Sequence, residues 1–199
     1  MIRMGLVIAW LTMLLSSVGV LFWYNDWKYR LPTPVPANYV NVPPGTKIDL
    51  GKMIQSTGDK PVFLHFYNPE CPCSRFNKSH FQSLVRSYGN SVHFVVVVLS
   101  DKAYSADEIQ DKLGLKIPVV FDESIATRCG VYSTPQAALI DKDQKLYYRG
   151  NYNASRYCTE EKTAYAKIAL NGLLKSQSLP TLTAQALKSY GCTMPVCKN

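Results

Sequence analysis

Residues 63–76 read Phe-Leu-His-Phe-Tyr-Asn-Pro-Glu-Cys-Pro-Cys-Ser-Arg-Phe. The first five are apolar or aromatic apart from His65, which is typical of a buried strand, and an Asn-Pro-Glu turn follows them. This turn leads to Cys71 at the point where a helical pattern starts. The stretch therefore predicts a strand, a tight turn, a cysteine and a helix, an arrangement suited to thiol chemistry.

The position predicted for Cys71 would stabilise a thiolate. Unpaired backbone N–H groups and the helix dipole favour an anion at a helix N-terminus. They can lower the pKa of a cysteine from about 8.5 to between about 3.5 and 7.5, which makes the sulfur nucleophilic at neutral pH. Pro72 suits the first helical position. A helix of about 15 residues ending near Gly89 is indicated by side chains at helical spacing, namely Phe76, His80, Phe81, Leu84, Val85 and Tyr88.

The chain after residue 60 alternates between strand and helix patterns. Strands are predicted over 61–67, 92–99, 117–121, 136–140 and 146–148, and helices over 105–113, 124–129 and from Thr159 onward. The continuous apolar run at 92–99 is typical of a strand covered on both faces. This order predicts an α/β domain with a central mixed sheet flanked by helices.

The stretch around Cys71 resembles the thioredoxin superfamily, in which an aromatic strand leads into a Cys-x-x-Cys motif at a helix N-terminus. In that register Cys71 matches the first, attacking cysteine, Ser74 stands where the second is expected, and Cys73 is an additional cysteine one residue earlier. The resemblance extends to Thr134-Pro135, because the proline that opens a hairpin in this fold is typically cis and packs beside the attacking cysteine. The backbone before that proline can pair with a substrate chain. The resemblance thus implies a thioredoxin-like fold and thiol-disulfide exchange at Cys71.

The sequence leaves the partner sulfur of Cys71 open. Cys73 is close in sequence, although a Cys-x-Cys bridge closes a small, strained ring. Cys158 is a resolving candidate because, in this fold, the loop after the hairpin returns to the active-site end. Cys192 is another, because Gly-Cys within residues 190–195 resembles the ending of a subset of redoxin-like proteins. Cys197 is an alternative partner for Cys192, as a staple within the tail.

Two further residues each have two interpretations. His65 lies six residues before Cys71, where thioredoxins place a buried acid, so it is a candidate for general acid–base catalysis near neutral pH. The alternative for His65 is burial with its hydrogen bonds satisfied. Cys129 either faces the site or fills the core as a small hydrophobe, and the second interpretation is preferred.

Neither a cofactor nor a resident metal is predicted. The three histidines of the chain, His65, His80 and His93, do not stand at ligand spacing with the cysteines. The Cys-Pro-Cys sequence alone could bind a soft ion such as Cu(I), which makes copper delivery a less favoured function.

The N-terminal segment predicts a membrane anchor. Residues 4–24 carry no charge and are long enough to cross a hydrocarbon core of about 30 Å. The segment ends in Leu-Phe-Trp-Tyr instead of a small-residue cleavage site, which favours an uncleaved anchor over a signal peptide. Six cysteines fit an oxidising compartment. We therefore expect a single-pass protein of the inner (cytoplasmic) membrane with its globular domain in the periplasm.

These patterns divide the chain into five parts. They are a cytoplasmic N-terminus (1–3), the anchor (4–24), a Pro-rich spacer (25–46), a thioredoxin-like domain (47–176) and a Cys-bearing tail (177–199). The net charge of +8 comes from scattered Lys and Arg. Because no nucleic-acid motif accompanies it, no nucleic-acid partner is expected.

The combined prediction is a membrane-anchored, extracytoplasmic thiol-disulfide oxidoreductase. Cys71 attacks disulfides of protein or small-thiol partners, and a second cysteine resolves the mixed disulfide. A redox partner in the membrane is also expected, because a short stiff spacer reaches only nearby proteins. One alternative is a peroxiredoxin-like peroxidase, which is disfavoured because Leu64 and Asn68 stand where its motif needs Pro and Thr or Ser. The other is a redox-inert, thioredoxin-shaped binding module.

Overall fold

A computed structural model of the chain describes residues 2–51, 54, 60–155 and 157–194. The chain divides into two compact units, Met1–Pro32 and Thr33–Asn199. The finer division into five parts remains a prediction.

The first unit is a single helix, α1 (Ile2–Arg30). Within it, residues Arg3–Tyr24 are long and apolar enough to cross a membrane. At 1.5 Å per residue this window spans about 33 Å, which matches a hydrocarbon core of about 30 Å. A secretory signal sequence meets the same criterion of length and composition.

The second unit contains the strands and the remaining helices. Its described strands are β1 (Val62–Tyr67), β2 (His93–Val98), β3 (Val119–Val120), β4 (Ser133–Thr134), β5 (Gln136–Ile140), β6 (Leu146–Gly150) and β7 (Cys192–Thr193). Its described helices are α2 (Pro72–Tyr88), α3 (Ala106–Leu113), α4 (Ser124–Arg128), α5 (Tyr165–Leu174) and α6 (Ala184–Leu187). A 3₁₀ turn covers Glu161–Thr163.

Five strands form one mixed sheet in the order β3-β2-β1-β5-β6. The central strand β1 runs parallel to β2 and antiparallel to β5, and the register of the second pair sets Phe66 opposite Gln136. The end of β1 that leads to Cys71 therefore lies beside the start of β5, which follows Pro135. The sheet topology thus brings the two motifs of the sequence to one edge of the domain.

This architecture confirms the thioredoxin-like fold. A parallel β1–β2 pair is connected by a helix, an antiparallel hairpin of β5 and β6 completes the sheet, and the peptide bond before Pro135 is cis. Short strands β4 and β7 form a separate two-stranded ladder beside it.

Alternation along β1 divides the interior into two apolar clusters. Phe63 and Tyr67 face a cluster with α2, α3 and α5, whereas Leu64 and Phe66 face a cluster with α4. Both clusters contain fully buried side chains. Strand β1 is therefore covered on both faces of the sheet. Its neighbour β2 has the continuous apolar sequence that is typical of such a strand.

Two predicted helices show how local sequence sets boundaries. Helix α2 ends at Tyr88, next to the expected Gly89, and α3 starts after Ser105 with both hydrogen bonds of a capping box. The helix predicted from Thr159 is wrong in its start, because α5 begins only at Tyr165. The backbone of Ala164 has a non-helical ψ of 66°, so it separates the 3₁₀ turn from α5.

We expect Leu139→Ala to destabilise the domain by about 2 to 5 kcal/mol. Leu139 is fully buried on β5, and removing it leaves a cavity between sheet and helices. Unfolding of the full chain in detergent micelles should be followed by near-ultraviolet circular dichroism of the tyrosines, since all three tryptophans lie in α1. Leu174→Ala, at the partly exposed end of α5, is the control; equal losses for both variants would contradict the assigned core.

Candidate active site

Cys71 is the N-cap residue of α2. Its backbone is extended (φ −75°, ψ 121°), Pro72 occupies the first helical position, and the Cys71 carbonyl accepts hydrogen bonds from the N–H groups of Ser74 and Arg75. The backbone N–H of Cys71 donates a hydrogen bond to the Asn68 carbonyl oxygen, which closes the preceding turn. The predicted strand, turn, cysteine and helix are therefore present, with the sulfur at the positive end of the helix dipole.

Cys71 forms a disulfide with Cys192, 121 residues later in the chain. Their Cα atoms are 6.1 Å apart, which is within the usual range for a disulfide. Cys71 is only 2% exposed, whereas Cys192 is partly exposed. Of the three partner cysteines that the sequence left open, the structure joins Cys192 to Cys71.

Cys192 lies in a C-terminal arm, defined here as residues 183–194. Strand β7 of the arm pairs antiparallel with β4, so that Thr134 lies opposite Cys192 and Ser133 opposite Thr193. Strand β4 directly precedes the cis peptide bond between Thr134 and Pro135. The arm thus occupies the backbone edge that the sequence resemblance assigns to a substrate chain.

The cis Thr134-Pro135 bond lies against the disulfide. The Thr134 carbonyl oxygen is 3.5 Å from the Sγ atom of Cys71, a contact between oxygen and a disulfide sulfur. Thr134 is fully buried, and Pro135 is partly buried. The predicted neighbourhood of Cys71, Thr134 and Pro135 is therefore observed, while a catalytic role for these residues remains a prediction.

Polar contacts fix the arm to the domain upstream of Cys192. The buried Gln136 amide donates to Ser189 Oγ (2.8 Å), and the Asn151 amide donates to the carbonyl oxygens of Gln185 and Lys188 (both 2.6 Å). Thr33 adds two contacts, one through its backbone N–H and one through its hydroxyl. Sequence reasoning missed these anchors, because amide and hydroxyl residues carry no pattern that indicates a distant partner.

The second position of the Cys-x-x-Cys register holds a buried hydroxyl. Ser74 is fully buried, and its Oγ accepts a hydrogen bond from the backbone N–H of Asn68 (3.4 Å). Cys73, one residue earlier, is 9% exposed. The sulfurs of Cys71, Cys73 and Cys192 all lie within 4.8 Å of one another.

The other described cysteines have surroundings typical of packing. Cys129 is fully buried, and desolvation raises the pKa of its thiol to about 12. Burial likewise raises the pKa of Cys158 to about 12, and its thiol donates to the Oδ1 atom of Asn77 (3.1 Å). A thiol with such a raised pKa is a poor nucleophile, so these surroundings do not favour Cys158 as the resolving cysteine. Cys197 lies outside the described residues.

His65 is fully buried in the cluster on the α2 side of the sheet. Its Nδ1 atom is 2.7 Å from the Tyr152 hydroxyl, and its ring stacks on Phe81 with centroids 4.0 Å apart. Desolvation lowers the pKa of His65 to about 3. Because the imidazole is then neutral throughout the neutral pH range, these contacts do not support proton transfer near pH 7. They favour burial without catalysis, with only Nδ1 satisfied, because Nε2 has no hydrogen-bond partner among the described residues.

We expect His65 to make the domain less stable as the pH falls. The unfolded chain protonates this residue below about pH 6.5, whereas the folded chain does so only near pH 3. Between these values the free energy of unfolding falls with decreasing pH, by up to about 1.4 kcal/mol per unit. His65→Phe combined with Tyr152→Phe, which avoids an unpaired hydroxyl, should flatten the profile in urea unfolding between about pH 4 and 7. His93→Asn is the control, and unchanged slopes in the double variant would contradict this assignment.

We also expect Gly191→Ala to weaken the disulfide. A Cβ at Gly191 would lie 2.3 Å from the Thr134 carbonyl oxygen, so β7 must move away from β4 and carry Cys192 with it. The midpoint potential of the cysteine pair should rise by at least about 30 mV, which corresponds to about 1.4 kcal/mol. Equilibration with glutathione buffers measures it, with Lys188→Ala on the exposed side of the same arm as control. A potential equal to that of the unaltered chain would exclude this close approach.

Several solved structures share the fold. A hypothetical protein from Sinorhizobium meliloti 1021 is 18% identical, with a TM-score of 0.63 over 78% of this chain and 96% of that one. An uncharacterised conserved protein from Geobacillus kaustophilus is 22% identical, with a TM-score of 0.61 over 82% and 97%. A secreted disulfide oxidoreductase from Mycobacterium tuberculosis, homologous to Escherichia coli DsbE, is 18% identical, with a TM-score of 0.43 over 59% and 82%. The first two likenesses show a common fold.

The sequence matches no curated protein. It does match one protein family over residues 46–196, a range that contains Cys71, Thr134, Pro135 and Cys192. The chain belongs to the family described as a domain of unknown function, DUF6436.

Proposed function

We propose that this protein is a membrane-anchored, extracytoplasmic thiol-disulfide oxidoreductase. The observation that carries the proposal is the disulfide between Cys71, at the N-terminus of α2, and Cys192, on a strand beside the cis Thr134-Pro135 bond. A redox-active pair needs an activated sulfur, a second sulfur within bonding distance and a surface for the partner chain. The helix N-terminus at Cys71, the bonded Cys192 sulfur and the β4 edge support the proposal on these three points.

The reaction moves two electrons and two protons. A partner thiolate attacks one sulfur of the Cys71–Cys192 bond, so that a mixed disulfide forms and the other protein sulfur leaves as a thiolate. A second partner thiolate then attacks the partner's sulfur in the mixed disulfide, which forms the partner disulfide and leaves both protein cysteines reduced. In the opposite direction the Cys71 thiolate attacks a partner disulfide, and Cys192 resolves the intermediate.

Cys71 is the better thiolate of the pair. The N-terminus of α2 stabilises its negative charge, and a sulfur with a lower pKa is both a better leaving group and more ionised at neutral pH. Cys192 is the more accessible sulfur, since Cys71 is nearly completely buried under the arm. An incoming thiolate therefore reaches Cys192 first in the oxidised chain, and Cys71 departs.

Partner binding competes with the arm. In the reduced chain the Cys71 sulfur must be uncovered before it attacks, and strand β7 covers it by pairing with β4. A partner segment in extended conformation can take the place of β7 and pair with the Thr134 backbone, which is β-strand addition to the short strand β4. The proposed partners are therefore proteins with a reactive dithiol or disulfide in an extended segment.

The N-terminal helix supports membrane anchoring. Residues Arg3–Tyr24 have the length and composition to cross a bilayer, and the polar side chains of Thr12 and Ser17 donate hydrogen bonds to carbonyl oxygens one turn earlier. Such internal bonds satisfy polar groups in a lipid environment. Six cysteines and a disulfide suit an oxidising compartment, so we place the domain in the periplasm, where a membrane redox protein is its nearest partner.

We expect Cys71 and Cys192 to switch together in graded glutathione buffers. The full chain in detergent micelles is equilibrated, alkylated before and after reduction, and digested for mass spectrometry of each cysteine peptide. A shared transition between about −120 and −270 mV, the range of known exchange catalysts, supports the oxidoreductase. A pair that stays bridged at every potential would instead identify a redox-inert binding module.

Two serine variants test which cysteine resolves the mixed disulfide at Cys71. Cys192→Ser removes the resolving sulfur, so Cys71 should accumulate a stable mixed disulfide with glutathione. Cys158→Ser is the matched control, because Cys158 contacts Asn77 away from the disulfide pair, and its transition should equal that of the unaltered chain. The reverse outcome would make Cys158 the resolving cysteine.

A further inference from the structure

Three sulfurs converge at the end of α2. Cys71 and Cys73 belong to the cap and first turn of this helix, and Cys192 comes from the paired strand β7. Their Sγ atoms all lie within 4.8 Å of one another. The exchange reaction proposed above uses only two of them, so the position of Cys73 has no role in that reaction.

The three sulfurs are held by separate elements and sheltered from water. Cys71 and Cys73 are buried and Cys192 is partly buried. Moving β7 away from β4 would break two hydrogen bonds of the arm. Gln136 donates one of them to Ser189, and Thr33 donates the other to the Gly191 carbonyl oxygen. Burial of Met194 in the α4-side cluster fixes the arm on the other side of Cys192. The arm is thus held on both sides of Cys192.

We propose that the reduced chain binds one Cu(I) ion through Cys71, Cys73 and Cys192. This inference requires the disulfide to be reducible, as the proposed function does. A dithiol reduces the Cys71–Cys192 bond, gives up two electrons and two protons, and becomes a disulfide itself. One Cu(I) ion then displaces the three thiol protons and forms three Cu–S bonds, with no change in its oxidation state.

The geometry suits one ion shared by three sulfurs. Three metal–thiolate bonds of about 2.3 Å in a trigonal arrangement place the sulfurs about 4.0 Å from one another, and the three sulfurs of this cluster all lie within 4.8 Å of one another. The Cys71 and Cys192 sulfurs, which are covalently bonded in the oxidised chain, separate to van der Waals distance or beyond on reduction and make room for the ion. Small side-chain rotations are therefore sufficient to complete the site.

The ligands select Cu(I) over Zn²⁺. The cluster contains only thiolate sulfur, the soft ligand that Cu(I) prefers. Zn²⁺ in structural sites takes four ligands in a tetrahedron, and the described cluster provides three. The N-terminus of α2 faces this cluster with its positive dipole end, which offsets part of the negative charge that three thiolates bring.

Copper and disulfide exclude each other at this site. Both use the Cys71 and Cys192 sulfurs, so oxidation releases the ion and bound ion blocks oxidation. Cys73 is the only one of the three that distinguishes the two states, because it is a copper ligand and takes no part in the disulfide. Substituting it therefore separates copper binding from thiol-disulfide exchange.

The test uses the full chain in detergent micelles. The chain is reduced with dithiothreitol, and the dithiothreitol is then removed under anaerobic conditions. Cu(I), added as its acetonitrile complex, is titrated against a chromophoric Cu(I) chelator. We expect one ion per chain, and at least tenfold weaker binding for Cys73→Ser. Cys129→Ser, which changes a buried cysteine outside the cluster, should bind as the unaltered chain does.

Further measurements make each outcome decisive. Copper K-edge absorption of the loaded, unaltered chain should show three sulfur ligands, and a two-sulfur site would overturn the role of Cys73 even if its variant fails to fold. Loaded copper should also protect Cys71 and Cys192 from oxidation by glutathione disulfide. Equal binding by Cys73→Ser, or displacement of Cu(I) by equimolar Zn²⁺, would refute the site. The glutathione transition of Cys73→Ser independently reports whether disulfide exchange persists.

Discussion

The bond between Cys71 and Cys192 links the first turn of a central helix to the last described strand of the chain. The two cysteines are 121 residues apart in sequence. In the chain-entropy account, closing a loop of this length raises the free energy of the unfolded chain by about 4 to 5 kcal/mol, because it reduces the conformational entropy of that chain. The same bond holds β7 against β4. Reduction therefore affects both the stability of the domain and the exposure of the Cys71 sulfur.

The arm does not depend on the disulfide alone. Upstream of Cys192, Tyr148 donates to the Asn151 and Ala186 carbonyl oxygens, and Asn151 donates to two arm carbonyls. Such buried bonds are costly to break because each leaves a polar group without a partner. After reduction these contacts keep residues 183–189 in place even where a partner segment displaces β7, so we infer that Cys192 remains near enough to resolve a mixed disulfide.

Local sequence predicted the parts of the site that short-range physics determines. The apolar strand, the turn, Pro72 and the helical spacing placed Cys71 at the helix end, and resemblance supplied Thr134-Pro135. The choice of Cys192 over Cys158 depends on β7 pairing with β4 across about 60 residues of sequence, and a two-residue strand has no periodicity to detect. His65 was ambiguous for a related reason, since burial beside Tyr152 and Phe81 depends on how α2 packs on the sheet.

Because Ser74 stands at the second position of the Cys-x-x-Cys register, the second sulfur of the site has to come from the arm. In a Cys-x-x-Cys motif both sulfurs belong to one helix, so their separation is fixed by the helix itself. Here a buried hydroxyl occupies the second position, and the second sulfur comes from strand β7, which covers the edge of β4 where we propose that partners bind. In the proposed reaction, a partner that displaces β7 also moves the Cys192 sulfur out of bonding distance of Cys71, while residues 183–189 keep it nearby. Under the proposed function, the reactivity of the pair is coupled to occupation of that edge, a coupling that two cysteines on a single helix cannot provide.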